Sequence, residues 1–536
     1  MRLKIFTIVV IIFSISPVSA AAAGEKFGFG IEYFMFLDSN QIAYHYSDIG
    51  ATWSKTTPVK WGDIEKKPPV KGVHNYNWDK VDKNVKAMHD AGFVNLQIVL
   101  AAKSKWGGRP LKRERGLVGR LKTLNSAAPP TDEHWQDYAD WVRAFTERYD
   151  NDGVDDMPGL KAPVLYYEIM TEVQHDFYWQ GTAEEYIEVL KTSYKAAKEA
   201  NHDVKIILSG FMFMDLFDKG YLTADEIEER LNWATSYYPK GDFRKKSGEK
   251  MRKQIEFNKR ILQAKDYFDI VEFHLLSHYK AIPGTVKWIR DQMKKNGYQK
   301  PIWVGDAGIL PPLPSHNRTG RKACFSTFNV FFPSKYDDGD KIYKVLTRQR
   351  DKYGYTFNQV SKWFYKKQAQ ILTKSLIEEM SLGVAGTNIY TWLDGKPRKI
   401  MTGSAKSWQI CGLRDGNFLP SPAVGTPRPV FYTYKMIVEQ LGDFSSAEKL
   451  DLGDSKIKAY KFIVKEQPIY AIWYDDEVAQ KPGEKEAAKI VDLSQVIKKS
   501  NVTITHIITE RDQTEPKVET ESSNDIMITE TPIFIK

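Results

Sequence analysis

Cysteine is nearly absent from this sequence, and long apolar runs are absent after its first two dozen residues. Only Cys324 and Cys411 occur among 536 residues, which excludes the disulfide-dense scaffolds of small secreted domains. In an oxidising compartment the two can form one disulfide, and the alternative is a pair of free thiols. Beyond residue 23 no stretch is apolar enough for a transmembrane helix, so we expect no stable membrane insertion.

The sequence also lacks the motifs of several ligand classes. Its net charge of +9 is spread along the chain without a long Lys/Arg run, so no nucleic-acid partner is expected. No Gly-rich phosphate loop follows the first predicted strand, which disfavours a doubly wound nucleotide-binding sheet. No His/Cys cluster has the spacing of a zinc site. We therefore expect no cofactor and no catalytic metal.

Residues 1–23 have the pattern of a cleaved secretory signal. Arg2 and Lys4 precede an apolar run over residues 5–15. Small residues then follow, as they do at a signal-peptidase site. The pattern predicts a mature protein that is secreted or periplasmic.

Short apolar runs alternate with amphipathic helices over residues 24–442. Eight such runs predict strands at 26–35, 50–56, 94–100, 164–169, 205–210, 268–274, 301–308 and 386–392. Helical spacing predicts helices at 78–88, 132–149 with Thr131 as cap, 183–200, 224–237, 285–296, 357–382 and 429–441. This alternation is typical of an α/β (β/α)₈ TIM barrel. The connection at 310–355 is long enough to cover the mouth of the barrel.

The last part of the chain, residues 443–536, has a different pattern of apolar and polar residues. Its short runs alternate apolar and polar residues and have no helical period. This pattern predicts a C-terminal all-β sandwich domain that packs against the barrel.

Two carboxylates follow two of the predicted strands. Glu172 comes after the fourth strand, and Asp306 lies near the end of the seventh. In a parallel barrel these strand ends share one face, so the two side chains should meet. Glycosidic bonds are cleaved by such pairs, in which one acid protonates the leaving oxygen and a partner supports the anomeric carbon.

Several short motifs resemble those of a known family. Residues 61–65 read WGDIE, 76–82 read YNWDKVD, 167–172 read YEIMTE, 268–274 read FDIVEFH and 303–308 read WVGDAG. In this order the chain resembles clan A of the retaining glycoside hydrolases, most closely the TIM-barrel glycosidases of families 39 and 5. The resemblance covers nearly the whole mature chain.

The resemblance implies a role for each matching residue. Glu172 takes the position of the general acid/base, and Thr171 stands where the clan has an Asn that binds the sugar 2-hydroxyl. Asp306 stands at the position of the nucleophile, which is a Glu in the clan. The chain therefore diverges from the clan at both motifs. Because Asp is one carbon shorter than Glu, a clan-like backbone would widen the gap between the two carboxyl groups.

Further residues are candidates for substrate binding. His274 and Tyr279 match the polar contacts that the clan places at the sixth strand, although a satisfied core histidine is the alternative for His274. Lys55 stands where many members carry an Arg. Four tryptophans fall at or beyond strand ends and are candidates either for sugar stacking or for ordinary packing: Trp61, Trp106, Trp179 and Trp392.

An acidic loop follows the predicted helix at 132–149. Asp150, Asp152, Asp155 and Asp156 surround Gly153, which resembles part of a calcium loop. Because the terminal Glu of an EF-hand is missing, a solvated acidic turn is the preferred interpretation, with structural calcium near Asp152 as the alternative.

The sequence thus predicts an exported glycosidase acting on a polysaccharide or oligosaccharide with β-linked sugars. The rival hypothesis is a carbohydrate-binding or matrix protein that kept the barrel and lost catalysis. The sequence alone does not name the sugar or choose between retention and inversion.

Overall fold

The computed structural model describes residues 26–33, 43–112, 115–212, 217, 242–275, 279–309, 338–390, 412–417, 423–476, 478 and 480–536. Several predicted features lie outside these residues: the signal segment, the helix at 224–237, most of the connection after the seventh strand, Cys324, Cys411 and Trp392. Among the described residues, no helix combines the length and apolarity needed to cross a bilayer.

Eight parallel strands form a closed barrel. They are β1 Gly28–Tyr33, β2 Trp53–Thr56, β3 Asn95–Ala101, β4 Tyr166–Ile169, β5 Lys205–Met212, β6 Ile270–Leu275, β7 Ile302–Gly308 and β8 Gly386–Tyr390. Each strand pairs with the next, and β1 also pairs with β8, so the sheet has no free edge. The predicted TIM barrel is confirmed.

Helices alternate with these strands in the described chain. They are α1 Asp79–Asp90, α2 Gly116–Asn125, α3 Trp135–Arg148, α4 Ala183–Ala200, α5 Asp242–Ile261, α6 Ile282–Lys295, α7 Asp338–Arg348, α8 Phe357–Ser381 and α9 Pro429–Leu441. Shorter elements are the strand Val59–Lys60, the helical turn Trp61–Ile64 and the 3₁₀ turns Ala43–Ile49, Asp132–His134, Lys265–Tyr267 and Tyr279–Ala281.

Local capping chemistry explains where two of these helices begin. Thr182 and Glu185 form a reciprocal capping box at the start of α4, and Pro429 occupies the first turn of α9, where no amide donor is needed. Thr131 was predicted to cap the helix that starts at Asp132, and it does lie at the N-cap position of that helical segment, but without the expected side-chain bond. A 3₁₀ turn follows Thr131, the Thr131 side chain makes no cap hydrogen bond, and α3 itself begins after His134.

The C-terminal part is a β-sandwich, as predicted. After a hairpin of β9 Arg414–Asn417 and β10 Ala423–Pro427, it contains β11 Phe444–Leu450, β12 Ile457–Val464, β13 Gln467–Tyr474, β14 Ala488–Val491, a turn of helix Ser494–Ile497, β15 Asn501–His506, β16 Val518–Ser522, β17 Ile526–Thr529 and β18 Ile533–Ile535. Six strands form one antiparallel sheet in the order β11-β12-β13-β18-β15-β16, and β14 pairs with β17 in a second, two-stranded sheet.

Both faces of the central strand β13 are buried. Along β13, Tyr470 and Ile472 face the two-stranded sheet, whereas Ala471 and Trp473 join the large apolar core of the barrel. Because successive side chains on a strand point to opposite faces, one face of the sheet packs inside the sandwich and the other packs against the barrel. The docked face also carries polar contacts, such as the hydrogen bond from Trp363 Nε1 on α8 to the Gln480 carbonyl at 3.0 Å.

Candidate active site

The interior of the barrel is layered. At the lower layer, near the N-terminal ends of the strands, Trp53 packs edge-on against Trp303 and Tyr166, with ring centroids 4.6 and 4.5 Å apart. Ile207 and Ile270 complete this apolar layer. Because side chains on a strand alternate with a period of two, the residues two positions further along each strand form the next layer.

The next layer is charged and centred on Lys55. The Lys55 ammonium lies 2.6 Å from Glu272 Oε1, 2.9 Å from Glu168 Oε2 and 3.1 Å from Asp306 Oδ1. The Lys55 side chain is only 2% exposed. A buried ammonium with three carboxylates around it is stable only as a network, since removing one partner leaves buried charge unpaired.

Two amides extend this network across the barrel. Gln97 Nε2 donates to Glu272 Oε2 and, at 3.4 Å, to Glu168 Oε2. Asn388 Nδ2 in turn donates to Gln97 Oε1 at 3.1 Å. The network thus links β2, β3, β4, β6, β7 and β8 inside the barrel.

Glycines on neighbouring strands make room for these side chains. A Cβ atom at Gly305 would lie 1.8 Å from Glu272 Oε1, and a Cβ atom at Gly210 would lie 2.1 Å from His274 Nε2. Neither distance is sterically possible. The charged layer therefore requires these two glycines.

Glu172 is presented by a strained strand end. After β4 ends at Ile169, Met170 and Glu172 both adopt left-handed backbone conformations, with φ of 62° and 44°. Such conformations cost free energy in residues with a Cβ atom and cluster at functional sites. The Glu172 side chain, 8% exposed, accepts a hydrogen bond from His274 Nδ1 at 2.7 Å.

Asp306 sits beside a bulge in β7. In the pairing of β6 with β7, Phe273 faces Val304 and His274 faces Asp306, so Gly305 is an extra residue. A bulge re-aims the side chains that follow it. Asp306 Oδ2 lies 3.4 Å from His274 Nδ1, and one oxygen each of Glu172 and Asp306 come within 4.8 Å of each other.

Electrostatics assign charges to the central groups. Burial alone would lower the pKa of Lys55 and of His274, but nearby carboxylates, Asp306 foremost, raise both pKa values well above their usual range. Burial alone would raise the pKa of Asp306, but His274 and Lys55 bring it below its usual value. Asp306 is therefore an anion held between two cations.

Other acidic groups in the barrel have raised pKa values. Burial, followed by the charge of Glu272, raises the pKa of Glu168 to about 7. Burial and Asp306 raise the pKa of Glu32, on β1, well above its usual value. Burial, Glu172 and Asp306 also raise the pKa of the half-buried Tyr178 well above its usual value. Its hydroxyl therefore keeps its proton.

Two triads have oxygen and nitrogen atoms spaced as in a metal site: Glu168, Glu272 and His274, and Glu172, His274 and Asp306. Lys55 already supplies a positive charge to three of these groups. A divalent ion among them would face the repulsion of Lys55 and of the charged His274. The donor set therefore fits a lysine-centred network better than a bound metal.

Some predicted substrate contacts are instead structural. Trp61 is fully buried, and its ring donates to Glu65 Oε2 at 3.1 Å. Trp179 is 2% exposed and donates to the Thr182 carbonyl. Tyr279 is 3% exposed, and its hydroxyl donates to Asp475 of the C-terminal domain at 2.8 Å. These three residues offer no face to a sugar, so we reassign them to packing and domain docking.

The remaining predicted residues have mixed positions. Thr171 is half-buried between the two strained residues at the end of β4. Trp106 is also half-buried, packs edge-on against Trp61 and donates to the Glu65 carbonyl at 2.7 Å. The buried His274 bridges the two predicted catalytic residues.

Sequence reasoning missed Glu168, Glu272, Gln97, Glu32 and Tyr178. A signal for two of them was present, because Glu168 and Glu272 lie inside otherwise apolar strands. A carboxylate in such a strand needs a buried partner. Glu272 also lies two residues before His274, on the same face of its strand.

Comparisons with known proteins place the fold. No protein-family model matches the chain, and no curated protein matches it. Among solved structures, the chain is similar to a glucosidase from Croceicoccus marinus, with 10% identity over 97% of this chain and 96% of that one and a TM-score of 0.51. It is also similar to a conserved exported protein from Bacteroides fragilis, with 10% identity over 96% and 98% of the two chains and a TM-score of 0.52. At this level of identity the likeness shows a shared fold over nearly the full length of both chains, and this is the barrel fold that the resemblance to clan A glycoside hydrolases implied.

Proposed function

We propose that this protein is a glycoside hydrolase that cleaves β-linked sugars with retention of configuration. The observation that carries the proposal is that one oxygen of Glu172 and one oxygen of Asp306 lie within 4.8 Å of each other at the C-terminal ends of β4 and β7, which fits the closer of two known carboxyl spacings. Retaining enzymes have carboxyl groups about 5 to 5.5 Å apart, whereas inverting enzymes need about 6.5 to 9.5 Å to admit a water.

Glu172 acts as general acid and then as general base. Its hydrogen bond with the charged His274 makes the two groups a pair that holds a proton. His274 Nδ1 passes its proton to Glu172, and Glu172 delivers one proton to the glycosidic oxygen, which releases the first sugar or aglycone and leaves His274 neutral. In the second step Glu172 removes a proton from the water that attacks the enzyme-bound sugar.

Asp306 acts as nucleophile. Its lowered pKa keeps it ionised, and 16% of its side chain is exposed at the barrel mouth. Lys55 and His274 hold the carboxylate from two sides, which fixes its position but lowers its basicity. A carboxylate oxygen attacks the anomeric carbon and forms a glycosyl ester, which water then cleaves.

The proposed substrate is a polysaccharide or oligosaccharide outside the cytoplasm. The predicted signal segment supports export, and the structural neighbours named above as a glucosidase and an exported protein are consistent with it. The second candidate is a carbohydrate-binding protein without turnover. It is favoured by the two departures from the clan, Asp306 for Glu and Thr171 for Asn.

Aryl β-glycosides with leaving groups of different acidity test the two roles. Glu172→Gln should lower kcat/KM at least about 100-fold on methylumbelliferyl glycosides, and much less on dinitrophenyl glycosides, whose leaving group needs no protonation. Asp306→Asn should abolish hydrolysis of both. Asp512→Asn, an exposed acid in the C-terminal domain, is the matched control. Sugar binding by the wild type without hydrolysis of any substrate in a broad panel would favour the second candidate.

A further inference from the structure

The loop between α3 and β4 gathers acidic residues at the end of the barrel opposite the site. Asp150, Asp152, Asp155 and Asp156 follow one another within seven positions, and Glu147 precedes them on α3. The loop enters the N-terminal end of β4, whose other end carries Glu172. Among the residues that the structure describes, none of the four aspartates has an ion pair with Lys, Arg or His.

Asp150 is the unusual member of this cluster. It is only 6% exposed, and its buried Oδ1 has no hydrogen-bond partner in the described part of the chain. A buried, unsatisfied carboxylate oxygen is costly. The Asp150 carboxyl group also belongs to the cluster, because one oxygen each of Asp150, Asp152 and Asp156 lie within 4.8 Å of one another.

The backbone of the loop holds the other two carboxylates in place. Asp156 accepts hydrogen bonds from the Asn151 amide at 2.8 Å and from the Gly153 amide at 2.7 Å. Asp152 Oδ1 accepts from the Val154 amide at 2.8 Å. Each carboxylate oxygen has more than one acceptor site, so these bonds orient the side chains and still leave oxygen lone pairs for a cation.

We propose that this loop binds a calcium ion through the carboxylates of Asp150, Asp152 and Asp156. Two oxygens on one Ca²⁺ at about 2.4 Å can be at most about 4.8 Å apart, and the three carboxylates meet that limit. The ligands are all oxygen, which excludes the nitrogen and sulfur sites preferred by zinc. Calcium is favoured over magnesium because Mg²⁺ keeps several waters and seldom takes a cage of clustered carboxylates.

The ion would supply the partner that Asp150 lacks and would neutralise repulsion within the loop. Its effect should be on stability, since the loop anchors the chain where it enters β4. The site does not depend on the proposed glycosidase activity.

Thermal unfolding of the full chain tests the proposal. After EDTA treatment, Ca²⁺ at about 1 mM, the range of extracellular calcium modules, should raise the Tm by about 2 °C or more. Mg²⁺ at the same concentration should raise it clearly less. Isothermal titration calorimetry with CaCl₂ should give about one site per chain.

Variants separate binding from folding. Asp152→Asn keeps the acceptor for the Val154 amide, so it should fold and lose the calcium-dependent shift, whereas the exposed Asp525→Asn control should keep it. Asp150→Asn removes a buried charge, so it should equal or exceed the wild type in EDTA and fail to respond to Ca²⁺. Absence of a calcium shift in the wild type, an equal response to Mg²⁺, or an unchanged shift in Asp152→Asn would each overturn the proposal.

Discussion

The barrel interior contains two layers in which glycines leave space for large side chains. The side chains are apolar in one layer and charged in the other. In the lower layer, Gly28 and Gly386 leave space for the rings of Trp53 and Trp303. In the upper layer, Gly305 and Gly210 leave space for Glu272, Lys55 and His274. Large apolar rings near the N-terminal strand ends stabilise by packing, whereas buried charges near the C-terminal ends cost stability and are typical of active sites. The difference supports the proposed location of the active site at the C-terminal ends of the strands.

The largest expected effect comes from removing the central cation of the upper layer. Lys55→Met should lower the free energy of unfolding by about 3 to 5 kcal/mol near pH 8, because Glu168, Glu272 and Asp306 lose their shared partner. The defect should shrink towards pH 5, where these carboxyls can take up protons. Urea unfolding at both pH values measures this, with the exposed Lys26→Met as control. A defect independent of pH would mean that Lys55 matters only for packing.

Glu168 should make the stability of the upper layer depend on pH. Its pKa is raised to about 7 in the folded protein from an ordinary value of 4.5. The contribution of Glu168 to the free energy of unfolding is therefore fully present below about pH 4.5. It is lost as the pH rises to about 7, a change of about 3 kcal/mol. Relative to the wild type, Glu168→Gln should become more stable over this window. If the free energies of unfolding of the two proteins changed with pH in parallel, the raised pKa of Glu168 would be contradicted.

Tyr279 tests the reassignment of a predicted sugar contact to domain docking. Tyr279→Phe removes the hydrogen bond to the buried Asp475 and should cost about 1 to 2 kcal/mol. KM for glycosides should stay unchanged, since the hydroxyl faces the C-terminal domain. Chemical unfolding and steady-state kinetics measure the two effects. A higher KM with unchanged stability would restore Tyr279 to the substrate site.

Local signals allowed much of the fold to be predicted. The bounds of the helices at 183–200 and 429–441 were predicted correctly, because a capping box and a first-turn proline mark their starts. The strands were visible as apolar runs, and the positions of Glu172 and Asp306 at strand ends followed from them.

The charged layer could not be predicted in the same way. The contact of Lys55 with Glu272 joins residues 217 positions apart, and it depends on barrel closure and on the space above Gly305. Trp61 and Trp179 are buried rather than exposed at the barrel mouth for a related reason. A Trp near a strand end can face the mouth or the surrounding helices, and Trp61 and Trp179 turn towards the helices, where Tyr138 and Tyr186 pack against them.

Covalent trapping of the nucleophile tests the central claim most directly. The protein is incubated with a panel of activated 2-deoxy-2-fluoro β-glycosides, and its intact mass and peptic peptides are then measured. We expect the mass to rise by one fluoroglycosyl group, carried on the peptide that contains Asp306, and Asp306→Asn to stay unlabelled. Labelling on another residue, or hydrolysis with inversion and no labelled Asp306, would contradict the account.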